Sequence, residues 1–381
     1  MGFTQNHALG YTRKAFVKKE TTAGTQVKPV TTDAYKALKI DIDNKVDRHP
    51  RMDSRQSRSQ FERFSGRGKV TWSTESYVLP SGAAGTACDL DPFLEAAFGT
   101  KTVTGGVSVA YTPLNLSQAM PTLSICRHAP DSFAEWIWGA WVEKLTLSVT
   151  NGNFPVIKAE GEAMGYAKAI RTTLNGAVSA SATITVTDAG SLQVGAVVKI
   201  GTDDNSGAGF KVITQTSTTV YILETTLTAS DLAVVEPFTP DETTAGSPIP
   251  TALGSFTLNA VAFPIVGIEL SYANKFKPAD EAFQTYAQDA IPMVREVTGK
   301  LDMRMRRDKL RAFARQQHFL TDPMAVAIGT VAGSICTFNV AKAEFDHSAI
   351  DIPETEEVVA SLPFLCLATG SGGDELSNTW T

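Results

Sequence analysis

The chain has 381 residues, of which 43% are hydrophobic and 19% are charged. These values predict a folded protein of two or three domains and exclude a disordered chain. The formal net charge of -6 is spread along the sequence, which argues against a surface built to grip nucleic acid. We expect no signal peptide, because Met1–Glu20 has no apolar h-region, and no membrane span, because no apolar stretch approaches about 18 residues. The four cysteines are far apart and without metal-ligand spacing, which predicts buried thiols: Cys88, Cys126, Cys336 and Cys366.

The beginning of the chain is polar. Residues 1–36 lack helix or strand periodicity and are predicted to be an N-terminal arm or a disordered tail. A short strand is expected over Ala37–Asp43, and the Arg-rich segment Asn44–Ser65 is expected to have no regular structure. About 20 such residues inside a compact domain are unusual and tend to be functional. A second strand begins at Lys69.

A short helix and a hairpin are predicted next. Asp91 can cap the helix with Pro92 at its first position, and Gly99 ends it. Apolar residues alternate with polar ones over Leu145–Val149, and Asn151–Asn153 supplies the turn into the return strand. This pattern predicts a hairpin with one buried face.

Three tryptophans crowd the segment Phe133–Trp141. Trp136 and Trp138 would lie on one face of a strand, with Ile137 on the other. A domain core and a subunit interface, where tryptophan is enriched, are equally good interpretations.

The composition shifts toward Thr, Val, Ala and Gly over residues 166–254. The Pro-rich stretch Phe238–Pro250 is typical of a linker. We therefore predict a small all-β domain inserted at an exposed hairpin. Its short β-branched strands are expected at Ala182–Thr187, Gly195–Gly201, Phe210–Thr214 and Thr219–Leu223.

Residues 255–381 repeat the plan of residues 37–165. Alternation over Leu301–Met305 predicts a strand, and a helix is expected from about Asp308, with Leu310, Phe313, Ala314 and Gln317 on one face. Two further strands and a polar tail are expected at Ser334–Glu344, at Glu357–Ala368 and from Asp374 onward.

Three short matches recur in the same order in these two regions. They are Lys39–Ile42 with Gly267–Leu270, Arg63–Arg67 with Arg295–Lys300, and Val142–Lys144 with Val340–Lys342. A shared order of matches points to two related units. The fold class predicted from the sequence is thus mainly β, with two tandem related units that each carry a short helix, plus the inserted domain.

No motif in the chain predicts chemistry. Gly66–Lys69 lacks the spacing of a phosphate loop, and a strand follows it. No nucleophile motif, dinucleotide fingerprint or metal spacing is present, so we predict no catalytic, cofactor-binding or metal-binding residue and no enzyme activity. The histidines are scattered and are expected to have structural or solvent-exposed roles: His7, His49, His128, His318 and His347.

Basic residues form two runs. Acidic residues intervene and few aromatic residues are interleaved, so contact with acidic patches on a neighbouring copy is favoured over nucleic-acid binding. The runs are Arg48, Arg51, Arg55, Arg58, Arg63 and Arg67, and then Arg295, Lys300, Arg304, Arg306, Arg307, Lys309, Arg311 and Arg315.

The residues resemble a known family, the tail tube (major tail) proteins of long-tailed bacteriophages. The resemblance rests on Gly66–Trp72, Tyr77–Gly85, Asp89–Gly99, Thr298–Leu301 and the closing strand at Leu362–Phe364. It covers about residues 37–165 and 255–381, and residues 166–254 depart from it.

The resemblance implies β-sandwiches whose sheets pair edge to edge into rings, which stack into a tube for DNA delivery. It implies a virion tail location after assembly in the host cytoplasm, with tape measure and tail terminator proteins as partners. DNA would pass without specific binding, and no membrane is involved.

The duplication predicts the stoichiometry. Two tube units per chain would close a pseudo-sixfold ring from three chains, with a hexamer as the alternative. We expect Asn44–Ser65 and Tyr272–Val294, which take equivalent positions, to reach the next ring. A surface adhesin or carbohydrate-binding protein that uses the insert is the main competing function, and an enzyme, a capsid subunit and a sheath subunit are weaker alternatives.

Overall fold

The computed structural model describes residues 13–50, 63–114, 120–129, 132–242, 247–279, 281, 284–304, 321–346, 358–370 and 372–381. Strands account for 58% of the structure and helix for 4%, so the predicted mainly β fold is confirmed. The helix expected from about Asp308 lies outside the described residues.

The first unit is a sandwich of two antiparallel layers. One layer has the strand order β2-β3-β8-β7, and the other has the order β1-β6-β7-β9. Gly139, at a φ of 59°, lies within β7, whose two halves join different layers. The elements are β1 (Lys14–Lys19), β2 (Lys39–Pro50), β3 (Arg63–Tyr77), α1 (Asp91–Phe98), β4 (Gly99–Thr104), β5 (Ser108–Pro113), β6 (Leu123–Ala129), β7 (Phe133–Thr150), β8 (Val156–Ala163) and β9 (Gly165–Ile170).

The second unit repeats this pairing strand for strand. Its layers have the orders β18-β21-β24-β23 and β16-β22-β23-β25, as in the first unit. Its elements are β16 (Gly254–Leu258), β17 (Val261–Ala262), β18 (Gly267–Ala273), β19 (Phe276–Pro278), β20 (Ala290–Pro292), β21 (Glu296–Arg304), β22 (Thr321–Ile328), β23 (Cys336–Phe345), β24 (Val359–Leu367) and β25 (Ser377–Trp380).

Alternation accounts for the face that each strand buries. In β8, Ile157 and Ala159 point into the core, while Lys158 and Glu160 point out. The inward side chains of both units and the apolar face of α1 form one continuous cluster. Each fully buried aliphatic side chain contributes about 1.5–3 kcal/mol of transfer free energy.

The predicted helix and hairpin are confirmed, with one correction. Gly99 ends α1 in the left-handed region, at a φ of 88°, and its N–H donates to the Glu95 carbonyl. Asp91, however, is the first helical residue rather than the cap. Its carboxylate accepts from the Tyr111 hydroxyl at 2.6 Å and pairs with Lys101, so it is used to anchor the β4–β5 hairpin.

Residues 14–19 and 377–380 form strands that the sequence did not predict. Residues 14–19 form β1, in which Phe16 is buried, so the prediction of an unstructured arm was wrong there. The predicted polar tail after Asp374 was wrong too, because β25 pairs with β23 and buries Trp380. These strands are short, and their partners are distant in sequence.

The two polar segments contain hairpin arms. The prediction of a structureless Asn44–Ser65 was wrong for its described residues, because β2 runs to Pro50 and β3 begins at Arg63. We call the distal parts of these strands, residues 45–50 and 63–68, the first arm. The corresponding second arm, within residues 274–295, includes the β19–β20 ribbon.

The inserted region forms a small six-stranded sheet of order β10-β15-β12-β13-β14-β11. A bridge between Leu174 and Val186 joins its first and last strands, so the sheet closes on itself. The strands are β10 (Thr172–Thr173), β11 (Val178–Thr185), β12 (Val197–Ile200), β13 (Phe210–Gln215), β14 (Val220–Ala229) and β15 (Val234–Pro237). The expected β strands are therefore confirmed, although residues 166–170 belong to β9 of the first unit.

The insert packs against the first unit and is hydrogen-bonded to the segment after β1. Its core continues into the outer layer of the first unit, where Trp136 is 2% exposed, so that tryptophan belongs to a domain core. The segment after β1 crosses to the insert, and the Gln26 side chain donates to the Gly195 carbonyl at 2.7 Å. Glu20, 5% exposed, anchors this segment. Its carboxylate accepts bonds of 2.7–2.9 Å from Gly24 N, Thr122 Oγ1, Ser124 Oγ and Gly139 N.

Candidate assembly surfaces

The two units join edge to edge within the chain. β7 and β18 pair antiparallel from Thr150 opposite Gly267 to Lys144 opposite Ala273. The inner layers thereby fuse into one eight-stranded antiparallel sheet of order β2-β3-β8-β7-β18-β21-β24-β23. We call the β7–β18 junction the seam. It covers two strand edges that would otherwise be open to other chains.

Side chains reinforce the seam. The rings of Phe98 and Tyr272 pack with centroids 4.7 Å apart, and Tyr272 is fully buried. Asn274, 6% exposed, donates from Nδ2 to the carbonyls of Ala97 at 2.9 Å and Val142 at 3.1 Å. The second unit is thus bonded both to the end of α1 and to β7.

A second junction lies in the outer layer. β25 pairs with β5 through three residue pairs, which extends the outer sheet of the second unit into the β4–β5 hairpin. Arg295 donates to Glu375 at 2.8 Å and to the Leu114 carbonyl at 3.2 Å. The second unit is therefore bonded to the first unit at two places, the seam and the β4–β5 hairpin.

The second arm folds back onto the first unit. Gly68 N donates to the Thr285 carbonyl at 2.7 Å, and the Tyr286 hydroxyl donates to Asn44 Oδ1 at 3.2 Å. A Cβ at Gly68 would lie 2.4 Å from the Tyr286 ring, so a larger residue here would displace that ring. This contact is within one chain; the expected reach of both polar segments to the next ring stays a prediction.

The outer edge of β2 corresponds to the edge of β18 that is paired in the seam, but it is not paired with another described strand. β2 occupies the position in the first unit that β18 occupies in the second, and among the described strands it pairs only with β3. Since β18 is paired on both sides, the repeat leaves one strand edge of the eight-stranded sheet available at β2. An open strand edge presents N–H and C=O groups to a further strand, although at this edge the Ile40 carbonyl already accepts from Arg127 Nη1 at 3.2 Å.

The outward face of the eight-stranded sheet is polar and carries paired charges. Five lysines on it each contact a carboxylate, which limits the free positive charge that the face presents. The pairs are Lys39–Asp41 at 2.7 Å, Lys45–Asp43 at 2.8 Å, Lys158–Glu160 at 2.5 Å, Lys300–Asp302 at 3.6 Å and Lys69–Glu162. Such exposed pairs add little stability, so their consequence is mainly local neutralisation.

A shallow recess of about 540 Å³ lies on this face, lined by residues that include Asp43, Glu143, Glu160, Glu162 and Lys69. Burial, followed by the neighbouring Glu162, raises the pKa of Glu143. The recess combines carboxylates with lysines and holds no histidine or cysteine. Its lining therefore offers neither a nucleophilic thiol nor an imidazole base.

The structure places most other residues singled out by sequence in structural roles. The ring of Trp141 packs against Phe276 beside the seam. His128 is buried, with Nδ1 2.6 Å from Thr239 Oγ1. All four cysteines are buried, and burial raises their pKa values, to about 12 for Cys336 and Cys366. Within the described ranges, no group of three or more His, Cys, Asp or Glu residues could hold a metal ion.

The basic runs are only partly described. Arg295 and Lys300 pair with carboxylates of their own chain, Glu375 and Asp302. The positions that lie outside the described residues are Arg51, Arg55, Arg58, Arg306, Arg307, Lys309, Arg311 and Arg315, together with His7, His318 and His347. Pairing of the basic runs with a neighbouring copy therefore stays a prediction.

Comparison with known proteins identifies no relative: no protein-family model matches the sequence, and no curated protein matches it significantly. Within the described part of the chain, no helix has the length and apolar character required to cross a bilayer.

Proposed function

We propose that the chain is a structural virion protein that polymerises as stacked rings into the tail tube of a long-tailed bacteriophage, the conduit for DNA delivery. The observation that carries the proposal is the seam. It joins two units of the same pairing order edge to edge, in the way that successive units of a ring would be joined. The open edge of β2 then continues the ring by accepting the second unit of another copy.

The strand count favours three chains per ring. Three copies of the eight-stranded sheet make a wall of 24 strands, and a spacing of about 4.8 Å per strand gives a circumference of about 115 Å and a diameter of about 37 Å at the backbone. Strand tilt widens this value somewhat. Side chains reduce it to a channel that admits a nucleic-acid duplex. Six whole chains would make a channel of about 73 Å by the same spacing.

The polar face suits the lining of a conduit. Every phosphate that a fixed Lys or Arg neutralises adds counterion-release affinity, and such contacts would retard DNA in transit. On the polar face, lysines such as Lys39 and Lys158 are already engaged by carboxylates. We therefore place this face toward the lumen, with DNA passing without specific binding.

The remaining features follow from the same assembly. The insert occurs once per chain and would decorate the tube with threefold spacing. Tape measure and tail terminator proteins would contact the lumen and the end of the tube, in the virion tail after assembly in the host cytoplasm. In this role the chain has no enzymatic activity and needs no cofactor or membrane.

Self-assembly tests the proposal. Purified protein, concentrated and viewed by negative-stain electron microscopy, should form rings or filaments with a central channel. A chain that stays monomeric at all concentrations, as an adhesin with a carbohydrate-binding insert would, contradicts it. Glycan-array binding by that monomer would favour the adhesin.

A further inference from the structure

The seam shows which backbone acceptors a junction between two units uses. The Val266 carbonyl accepts from Asn151 N at 2.9 Å, at the end of the β7–β18 ladder. Ile268 lies opposite Val149 in that ladder. Alternate residues of a strand turn their backbone groups to the same side, so Ile268 faces β7 as Asn274 does, whose N–H donates to a β7 carbonyl at 2.8 Å. The second unit thus offers the carbonyls of Val266 and Ile268 to β7 at this end of the seam.

The counterparts of these two acceptors lie at the outer edge of β2. The first sequence match aligns β2 with β18 residue for residue, which makes Leu38 and Ile40 the corresponding residues. Arginines already occupy both of their carbonyls. Arg13 Nη2 donates to the Leu38 carbonyl, and Arg127 Nη1 donates to the Ile40 carbonyl at 3.2 Å. A strand that paired with β2 as β7 pairs with β18 would have to displace both guanidinium groups.

An ion pair fixes Arg127 at this edge. Its Nε donates to Glu135 Oε2 at 3.0 Å, and its Nη2 contacts the same oxygen. Glu135 is 7% exposed and also accepts from the Tyr166 hydroxyl at 2.8 Å. Charge-assisted hydrogen bonds of this kind are roughly twice as strong as neutral ones. The guanidinium is therefore held between β6 of the outer layer and the edge of the inner sheet, with Nη1 directed at the Ile40 carbonyl.

We propose that Arg13 and Arg127 form an autoinhibitory cap on the edge through which the chain pairs with the next copy in a ring. This inference rests on the proposed ring assembly and adds a control on when that assembly occurs. In the free chain, the two guanidinium groups satisfy the carbonyls of Leu38 and Ile40, and charged side chains at a strand edge oppose pairing with other chains. When the ring closes, N–H groups of the neighbouring copy's strand replace them. Arg127 keeps its bonds to Glu135, and Arg13 turns to solvent.

Neutral substitutions test the cap. Arg13→Gln removes one guanidinium at an exposed position, where folding tolerates the change. Arg127→Gln combined with Glu135→Gln removes the other without leaving a buried carboxylate unpaired. Arg171→Gln combined with Glu236→Gln, at an ion pair of the insert, is the matched control. Sedimentation that separates assembled from free protein measures the critical concentration for assembly, and circular dichroism checks the fold.

Each capping variant should assemble at a critical concentration about tenfold below that of the wild type, because one hydrogen bond to a charged donor no longer has to be broken. The control pair should leave the critical concentration unchanged. Equal critical concentrations in the wild type and in folded capping variants overturn the cap and leave the proposed function intact. Higher critical concentrations in those variants mean that the arginines support the junction, which also overturns the cap. If the double variant does not fold, Arg13→Gln decides alone. Failure of the wild type and of every variant to assemble overturns both the cap and the proposed function.

Discussion

The Asn274 side chain offers the sharpest single test of how the two units are held together. Its Nδ2 group donates to the carbonyls of Ala97 and Val142, which belong to the other unit, and it is 6% exposed. Asn274→Ala removes both bonds and leaves two buried acceptors without their donor. At about 1–2 kcal/mol for each lost bond and its desolvated partner, we expect a loss of about 2–4 kcal/mol of unfolding free energy.

Urea denaturation followed by far-UV circular dichroism measures this loss from the midpoint urea concentration and the m-value of the transition. Asn339→Ala is the control, because Asn339 is an exposed residue of β23, where a change within about 0.5 kcal/mol is expected. Asn274→Asp should cost more at pH 7, since a carboxylate cannot donate and faces two carbonyl oxygens. An Asn274→Ala variant as stable as Asn339→Ala would refute the bonding role.

Two further predictions concern buried carboxylates. Burial, only partly offset by Lys36, raises the pKa of Asp89 to about 6, above the value of about 4 expected in the unfolded chain. The ionised group thus destabilises the fold above pH 6 and not below pH 4. Asp89→Asn should raise Tm at pH 8 and leave Tm unchanged at pH 4. The exposed control Glu242→Gln should not raise Tm at pH 8. An Asp89→Asn variant with an unchanged Tm at pH 8 would contradict the destabilising role of the ionised Asp89. Glu20→Ala leaves four donors unpaired and should cost about 3–5 kcal/mol in urea unfolding; a loss under about 1 kcal/mol contradicts the anchoring role.

Elements with strong local signals could be predicted from the sequence. α1 has Pro92 at its start and Gly99 at its end, and the β7–β8 hairpin alternates clearly around the Asn151–Asn153 turn. The repeat was visible in the first of the three sequence matches, because Ile40 and Ile268 take equivalent places in ladders of the same order. The match of Arg63–Arg67 with Arg295–Lys300 was out of register: Ile40 pairs with Thr74 and Ile268 with Leu301, so the counterpart of Arg295 is Gly68. In these cases the information lies within a few residues of the element.

The missed elements depend on partners far along the chain. β1 pairs with β6 more than a hundred residues later, and β25 lies between β23 and β5. The arms were missed for a different reason: the distal part of β2 is largely exposed on both faces, so it shows no apolar alternation. Residues such as Asn274 and Gly68 act only through contacts that the tertiary fold creates, and no local pattern marks them.

The count of chains in a ring tests the central claim most directly, because the account assigns two equivalent ring positions to each polypeptide. Native mass spectrometry of isolated rings, combined with the rotational symmetry of averaged end-on images, would determine it. The account predicts three chains per ring, a wall of six similar units and inserts spaced with threefold symmetry. Six whole chains in one layer would contradict it.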